Sequence, residues 1–122
     1  MASLICKLVG TVFVIVAVWG FVNHDKVLVF EVNMMHNMVH LLSGIIALAC
    51  GFAGPQPARM FCLIFGVVYG LVAALGLLNV QYVVELLHLN KPDNYLHVGL
   101  ALVFLLAGLA PASTAAPASQ QR

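Results

Sequence analysis

The run MFCLIFGVVYGLVAALGLLNVQ, residues 60–81, contains no charged side chain and decides the class of fold. An α-helix rises ~1.5 Å per residue, so ~20 apolar residues in a row span the hydrocarbon core of a bilayer. Comparable apolar runs occupy residues 8–22, 34–54 and 95–112. The sequence therefore predicts an all-α integral membrane protein whose four transmembrane helices pack as a four-helix bundle.

The composition of the whole chain agrees with this class. Of the 122 residues, 63% are hydrophobic and only 7% are charged, and the formal net charge is +1. Soluble domains carry about 25% charged residues. The small net charge provides no basic surface for nucleic acid. We therefore expect the lipid bilayer as the environment, no nucleic-acid partner, and a homo-oligomer or a larger membrane complex as the assemblies to consider.

The apolar runs predict a single transmembrane domain. It covers residues 1–110, with spans at approximately 4–22, 34–54, 60–80 and 94–111. The remaining stretch PASTAAPASQQR, residues 111–122, is rich in Pro, Ala and Ser, a composition that cannot bury enough apolar surface to fold. It is expected to be a disordered cytoplasmic tail.

The distribution of charge predicts an orientation. If the helices alternate in direction, Lys7, Arg59 and Arg122 lie on one side of the membrane, and all four acidic residues share the other side with Lys26 and Lys91. Cytoplasmic loops carry an excess of Lys and Arg. We therefore expect a multi-pass protein with both termini in the cytoplasm.

A polar stripe interrupts the second apolar run at VNMMHNMVHLLSG, residues 32–44. Its asparagines and histidines recur at steps of three and four, which places them on one face of a helix. Imidazoles and amides are costly in hydrocarbon without partners, so this face should turn into the bundle, toward similar residues at the start of the fourth helix. The predicted polar seam comprises Asn33, His36, Asn37, His40, Asn94 and His97.

Small residues also recur at helical spacing. Gly44 and Gly51 in the second helix, and Gly66 and Gly70 in the third, follow the pattern that lets helices approach closely in membranes. We expect these four glycines to be helix-packing positions. In addition, NMVHLLSG, residues 37–44, and NYLHVGLA, residues 94–101, share an Asn-x-x-His motif, which suggests an internal duplication.

Two interpretations of the polar seam remain open at this stage. In the structural one, Asn33 and Asn94 cap their helices, and the histidines bond the asparagines to join the second and fourth helices. In the functional one, His36 and His40 have the i, i+4 spacing of a helical metal pair, and His97 supplies a third ligand.

The candidate cofactors follow from these histidines. Imidazole suits zinc and copper, although nothing in the sequence requires a cofactor. Met34 and Met38 would add thioether sulfurs suited to copper(I), but they project from a different helical face. Haem held by His40 and His97 as axial ligands is a third option. No serine or cysteine nucleophile is paired with a base, so we assign no catalytic residue and expect a protein that is not an enzyme.

The ordered motifs resemble those of a known bacterial family of small four-helix membrane proteins, the domain of unknown function family 4383. The resemblance covers about residues 32–110 and is carried by the paired His36 and His40, by GVVY at residues 66–69, and by DNYLH at residues 93–97. It implies a bacterial inner-membrane protein and implies no activity. The leading interpretation is a non-enzymatic structural or accessory subunit, and the alternative is a metal- or haem-binding module that uses His36, His40 and His97.

Overall fold

Five helices and one short hairpin make up residues 1–111, the part of the chain that this computed structural model describes. In chain order the elements are α1 (Ala2–Asn23), β1 (Lys26–Val27), β2 (Phe30–Glu31), α2 (Met34–Ala53), α3 (Pro55–Leu77), α4 (Gln81–Leu87) and α5 (Lys91–Leu109). Helices α1, α2, α3 and α5 are long and apolar enough to cross a membrane. The predicted all-α fold with four membrane spans is confirmed. Of the predicted tail, all but Pro111 lies outside the described residues.

Helices α3 and α5 begin several residues earlier than their predicted spans of 60–80 and 94–111. Helix α3 begins at Pro55, directly after Gly54, whose φ of 129° ends α2. Proline is favoured in the first helical turn because its missing N–H is not needed there. Arg59 is the fifth residue of α3, and its Nε donates a hydrogen bond to the Gly108 carbonyl oxygen at 2.7 Å. Helix α5 begins at Lys91 instead of residue 94.

The start of α5 is a capping box. The Asn90 side chain accepts a hydrogen bond from the Asp93 backbone N–H, and the Asp93 carboxylate accepts one from the Asn90 backbone N–H. Asn94, which the sequence suggested as the cap, lies in the first turn instead. Asn33 does cap α2, because its side-chain oxygen accepts a hydrogen bond from the His36 backbone N–H at 2.8 Å.

The Asn90 side chain makes a second hydrogen bond, so its truncation to Ala should lower the free energy of unfolding. Its Nδ2 donates to the Val29 carbonyl oxygen in the hairpin turn at 2.9 Å. Loss of an N-cap costs about 1 kcal/mol, so we expect Asn90→Ala to lower the free energy of unfolding by about that amount or more. Asn23→Ala is the matched control, since the Asn23 amide only bonds the exposed Trp19 carbonyl of its own helix. Denaturation in mixed micelles measures both variants, and equal losses would contradict the assignment.

The bundle consists of two helix pairs, α1 with α2 and α3 with α5, each packed along its length. Fewer contacts join the pairs, through α1 with α3, α2 with α3, and α1 with α5. Within the described chain the backbones of α2 and α5 do not approach each other closely. Contact between these two helices is therefore made by side chains. The buried core includes Cys6, Phe13, Phe61, Cys62 and Phe104.

The two pairs repeat one another in sequence and in structure. Residues of α1 recur 56 positions later in α3, as the buried Cys6 and Cys62 show. Residues of α2 recur 57 positions later in α5, as His40 and His97 show. The matching positions also include Gly10 with Gly66, Phe13 with Tyr69, Gly20 with Gly76, Asn33 with Asn90, Asn37 with Asn94, and Gly51 with Gly108. Because α1 and α3 run in the same direction, the halves are parallel repeats about an axis along the bundle.

Glycines lie where the paired helices approach most closely. A Cβ at Gly44 would come 2.9 Å from the Gly10 carbonyl oxygen, and one at Gly51 would come 3.1 Å from the Cys6 Cβ. A Cβ at Gly66 would come 2.7 Å from the Leu105 Cγ. At Gly70 the nearest atom, the Ala101 Cβ, would be 3.7 Å away, so this position has room for a side chain.

Candidate functional site

Three buried histidines meet at the end of the bundle that carries the hairpin and α4. His36 and His40 occupy successive turns at the start of α2, and His97 lies in the second turn of α5. Their exposed fractions are 3%, 7% and 2%. Since α2 and α5 face each other diagonally, the three rings fill the space between the two halves. We call these three residues the histidine cluster.

The nitrogens of the cluster are close together. The Nε2 atoms of His36 and His40 are 2.9 Å apart. The His40 and His97 rings are roughly parallel, at 23°, with centroids 6.2 Å apart, and the centroids of His36 and His97 are 6.0 Å apart. One ring nitrogen from each histidine lies within 4.8 Å of the others. The cluster thus brings together the three residues that the helical spacing suggested as metal ligands.

When the imidazole rings are neutral, their hydrogen bonds determine which ring nitrogen carries the proton. His36 Nδ1 lies 2.9 Å from the Leu87 carbonyl oxygen, which can only accept, so Nδ1 carries the proton. His36 Nε2 is then a bare acceptor, and His40 Nε2 must donate to it. His40 Nδ1 is consequently also a bare acceptor. It is buried without a hydrogen-bond partner among the described residues, as is His97 Nδ1.

Aromatic side chains enclose the cluster. Phe13 meets the His40 ring edge-on at a centroid distance of 4.8 Å, and Tyr69, its counterpart in the second half, lies 5.4 Å from the His97 ring. The Tyr69 hydroxyl is buried and lacks a partner among the described residues. Sequence reasoning missed Tyr69 as a site residue, although its position 56 residues after Phe13 was a usable signal.

The asparagines of the predicted seam do not join the histidines. Asn37 fills a notch at Gly20 of α1, and Asn94 fills the equivalent notch at Gly76 of α3, where any added Cβ would overlap the amide. The half-buried Asn33 uses its Nδ2 to bond the Leu86 carbonyl oxygen at 2.9 Å. The predicted seam is therefore divided: histidines meet at the centre, while the asparagines hold helices and connecting segments at the sides.

Sulfur atoms lie away from the cluster. Met34, Met35 and Met38 point outward, with exposed fractions of 75%, 49% and 39%. Cys6 and Cys62 are 3.7 Å apart, Sγ to Sγ, but they sit near the starts of α1 and α3, at the opposite end of the bundle. The donor set at the cluster thus consists of imidazole nitrogens.

The cluster fits a metal ion with little rearrangement. Zinc binds histidine at about 2.0–2.1 Å, which in a tetrahedral site separates two ligand nitrogens by roughly 3.4 Å. The Nε2 atoms of His36 and His40 need to part only slightly from 2.9 Å. The bond from His36 Nδ1 to Leu87 is the kind of outer contact that orients a metal-bound imidazole. The geometry gives haem less support, because His40 Nε2 lies 2.9 Å from His36 Nε2, which leaves no space at that nitrogen for a flat macrocycle.

Comparison with known proteins places the fold and the cluster in a family. The family model described as Domain of unknown function (DUF4383) matches residues 3–110. That match includes all four long helices and every member of the histidine cluster. None of the curated proteins or solved structures that were compared matches the chain. The chain belongs to the DUF4383 family, whose members carry a domain of unknown function.

Proposed function

We propose that this protein binds a first-row transition-metal ion inside the membrane through His36, His40 and His97. The observation that carries the proposal is the approach of three imidazole nitrogens to within 4.8 Å at a buried site. Buried polar groups are nearly always bonded, and leaving one unpaired costs free energy. A bound ion would take the Nε2 lone pairs of His36 and His40 in place of the hydrogen bond that these atoms share, together with one ring nitrogen of His97, whose Nδ1 has no partner among the described residues.

The imidazole donors favour a metal such as zinc or copper over hard cations such as magnesium and calcium. Imidazoles serve zinc and copper alike, whereas the thioethers and thiols that favour copper(I) lie elsewhere. Three histidines with a fourth position open to a small ligand is also a known arrangement for zinc. A dication needs nearby negative charge in a poorly solvated site. Asp93, the one buried carboxylate in residues 1–111, lines the same cavity as His36 and His40 and can offset that charge.

We also propose whether the protein is an enzyme and in which membrane it lies. It is a non-enzymatic protein of a bacterial inner membrane, with both termini cytoplasmic, as the excess of Lys and Arg on that side suggests. A purely structural subunit that packs on partners through glycine faces receives less support. Gly44, Gly51 and Gly66 are already buried between the chain's own helices, which leaves those faces unavailable to a partner.

Titration of the detergent-purified, chelator-treated protein tests the proposal. Zn²⁺ or Cu²⁺, and Cu⁺ under reducing conditions, are added separately, and bound metal is measured after equilibrium dialysis. We expect one ion per chain for at least one of these metals, and the tightest binder identifies the ion. Binding below a tenth of an ion per chain for all of them would overturn the proposal.

Tyr69 offers a finer prediction about the surroundings of the ion. Outer groups that orient ligands typically contribute 10-fold to 100-fold to metal affinity. Because the Tyr69 ring packs against the His97 ring and its buried hydroxyl can bond a ligand at the ion, we expect Tyr69→Phe to weaken metal binding about 10-fold without changing the stoichiometry. Tyr82→Phe is the control, since Tyr82 is exposed on α4. Equal affinities for the two variants would show that the Tyr69 hydroxyl takes no part.

A further inference from the structure

The histidine cluster is closed to its surroundings, so an ion can reach it only if part of the chain moves aside. The exposed fractions of His36, His40 and His97 are 3%, 7% and 2%. Two segments connect the long helices at this end of the bundle. The hairpin connects α1 with α2, and α4 connects α3 with α5. One of these two connections is therefore the element to consider as the entrance to the site.

Buried side chains anchor the hairpin. Val27 in β1 and Val32, which directly follows β2, are 3% and 7% exposed. In addition, Asn90 Nδ2 donates a hydrogen bond to the Val29 carbonyl oxygen in the turn. Moving the hairpin aside would expose two buried apolar side chains, and the cost of that exposure grows with the apolar area uncovered. The hairpin is therefore firmly held.

Helix α4 is held less firmly. None of its seven residues is buried. Its last turn is joined to the start of α2 by two hydrogen bonds of 2.9 Å. Asn33 Nδ2 donates to the Leu86 carbonyl oxygen, and His36 Nδ1 donates to the Leu87 carbonyl oxygen. Segments with few buried apolar contacts open locally at a low cost in free energy. Of the two connections, α4 is therefore the more easily displaced.

The backbone at both ends of α4 adopts a left-handed conformation. Asn79, which precedes the helix, has a φ of 53°, and His88, which directly follows it, has a φ of 54°. Residues at the ends of an element can absorb the changes in φ and ψ of a hinge motion. Leu87 also lines a small cavity between α2 and α3 that all three members of the histidine cluster line. Rotation of α4 about its two ends would therefore uncover the cluster.

A bound ion would strengthen the attachment of α4. When the ion binds His36 at Nε2, the ring proton stays on Nδ1, the atom that bonds the Leu87 carbonyl oxygen. The ion withdraws electron density from the ring, and a donor that carries more positive charge makes a stronger hydrogen bond. Such outer bonds also orient metal-bound imidazoles. Metal binding and closure of α4 thus favour each other.

We propose that α4 is a gate over the histidine cluster, which opens to admit the ion and closes when the ion binds. This inference rests on metal binding by the cluster and assigns the route by which the ion enters and leaves. Opening breaks the hydrogen bonds from Asn33 and His36 to α4. It leaves the packing of α2 against α1, and of α5 against α3, unchanged.

The rate of metal release from Asn33→Asp tests the gate. Aspartate caps a helix as well as asparagine does, so α2 keeps its cap, but a carboxylate cannot donate to the Leu86 carbonyl oxygen. Asn90→Asp is the matched control, because it makes the same change at the cap of α5 and frees the hairpin instead. The ion is the one that binds most tightly in the equilibrium dialysis. We expect excess chromogenic chelator to remove it about 5-fold faster from Asn33→Asp than from Asn90→Asp, the effect of losing one hydrogen bond.

Hydrogen exchange of the α4 amides in the wild type provides a second measurement. In the metal-free protein these amides should exchange faster than those of α2 and α3, and saturating metal should slow them about 5-fold. Circular dichroism verifies that both variants keep their helices. Equal release from the two variants, or α4 exchange that bound metal does not slow, would overturn the gate while metal binding stands. A lack of bound metal in the dialysis would instead overturn the proposed function, and the gate with it.

Discussion

His97→Ala is expected to abolish stoichiometric metal binding, with an affinity loss on the order of 100-fold or more. The substitution removes the ligand from α5, which is the link between the two halves of the site. The remaining pair, His36 and His40, belongs to one helix, and its nitrogens already bond each other. With only two protein ligands, both from α2, the ion would be weakly held. A competing chelator would therefore remove it.

His88→Ala is the matched control for this prediction. The chain has five histidines, and His24 and His88 lie exposed near the same end of the bundle as the cluster. If metal binds adventitiously to surface imidazoles, His88→Ala would lower binding and His97→Ala would not. Equilibrium dialysis of wild type, His97→Ala and His88→Ala separates the two cases. Circular dichroism verifies that His97→Ala keeps its helices.

Gly10→Leu is expected to destabilise the bundle by about 3 kcal/mol, because overfilled cores have few ways to relax. A Cβ at Gly10 would lie 2.9 Å from the Gly44 carbonyl oxygen and 3.0 Å from the Leu48 backbone nitrogen. Both neighbours are backbone atoms, which cannot turn aside as a flexible side chain can. The substitution therefore forces α1 and α2 apart along the whole pair.

Gly99→Leu provides the comparison, since nothing lies within 4 Å of a Cβ at that position. It lies within α5, so helix propensity changes similarly in the two variants. Unfolding in mixed micelles of rising denaturing-detergent content yields both free energies. Similar stability of Gly10→Leu and Gly99→Leu would mean that α1 and α2 do not pack as closely as described.

The sequence predicted the fold class well because charge-free length is a direct physical requirement of a membrane span. The residues at which the helices begin were harder to predict from the sequence. Arg59 comes directly before the third apolar run, yet it already lies within α3, where its Nε donates a hydrogen bond to the Gly108 carbonyl oxygen near the end of α5. A charged side chain that satisfies a neighbouring helix end cannot be recognised until that neighbour is known.

The histidine cluster was predictable in part. Steps of three and four placed His36 and His40 on one face, and alternating helix directions brought His97 to the same end. The roles of Asn37 and Asn94 could not be predicted, because they depend on notches at Gly20 and Gly76 in other helices. Those notches recur at the same 56-residue offset as Cys6 and Cys62, so aligning the whole of α1 with α3 would have revealed them.

X-ray absorption at the metal edge of the loaded protein is the most direct test of metal binding by the histidine cluster. We expect imidazole scattering from three histidines, with metal–nitrogen distances of about 2.0–2.1 Å for zinc. We expect no sulfur at about 2.3 Å, because Cys6, Cys62 and the methionines lie away from the cluster. A sulfur shell, or a shell of oxygen alone, would contradict a metal centre at His36, His40 and His97.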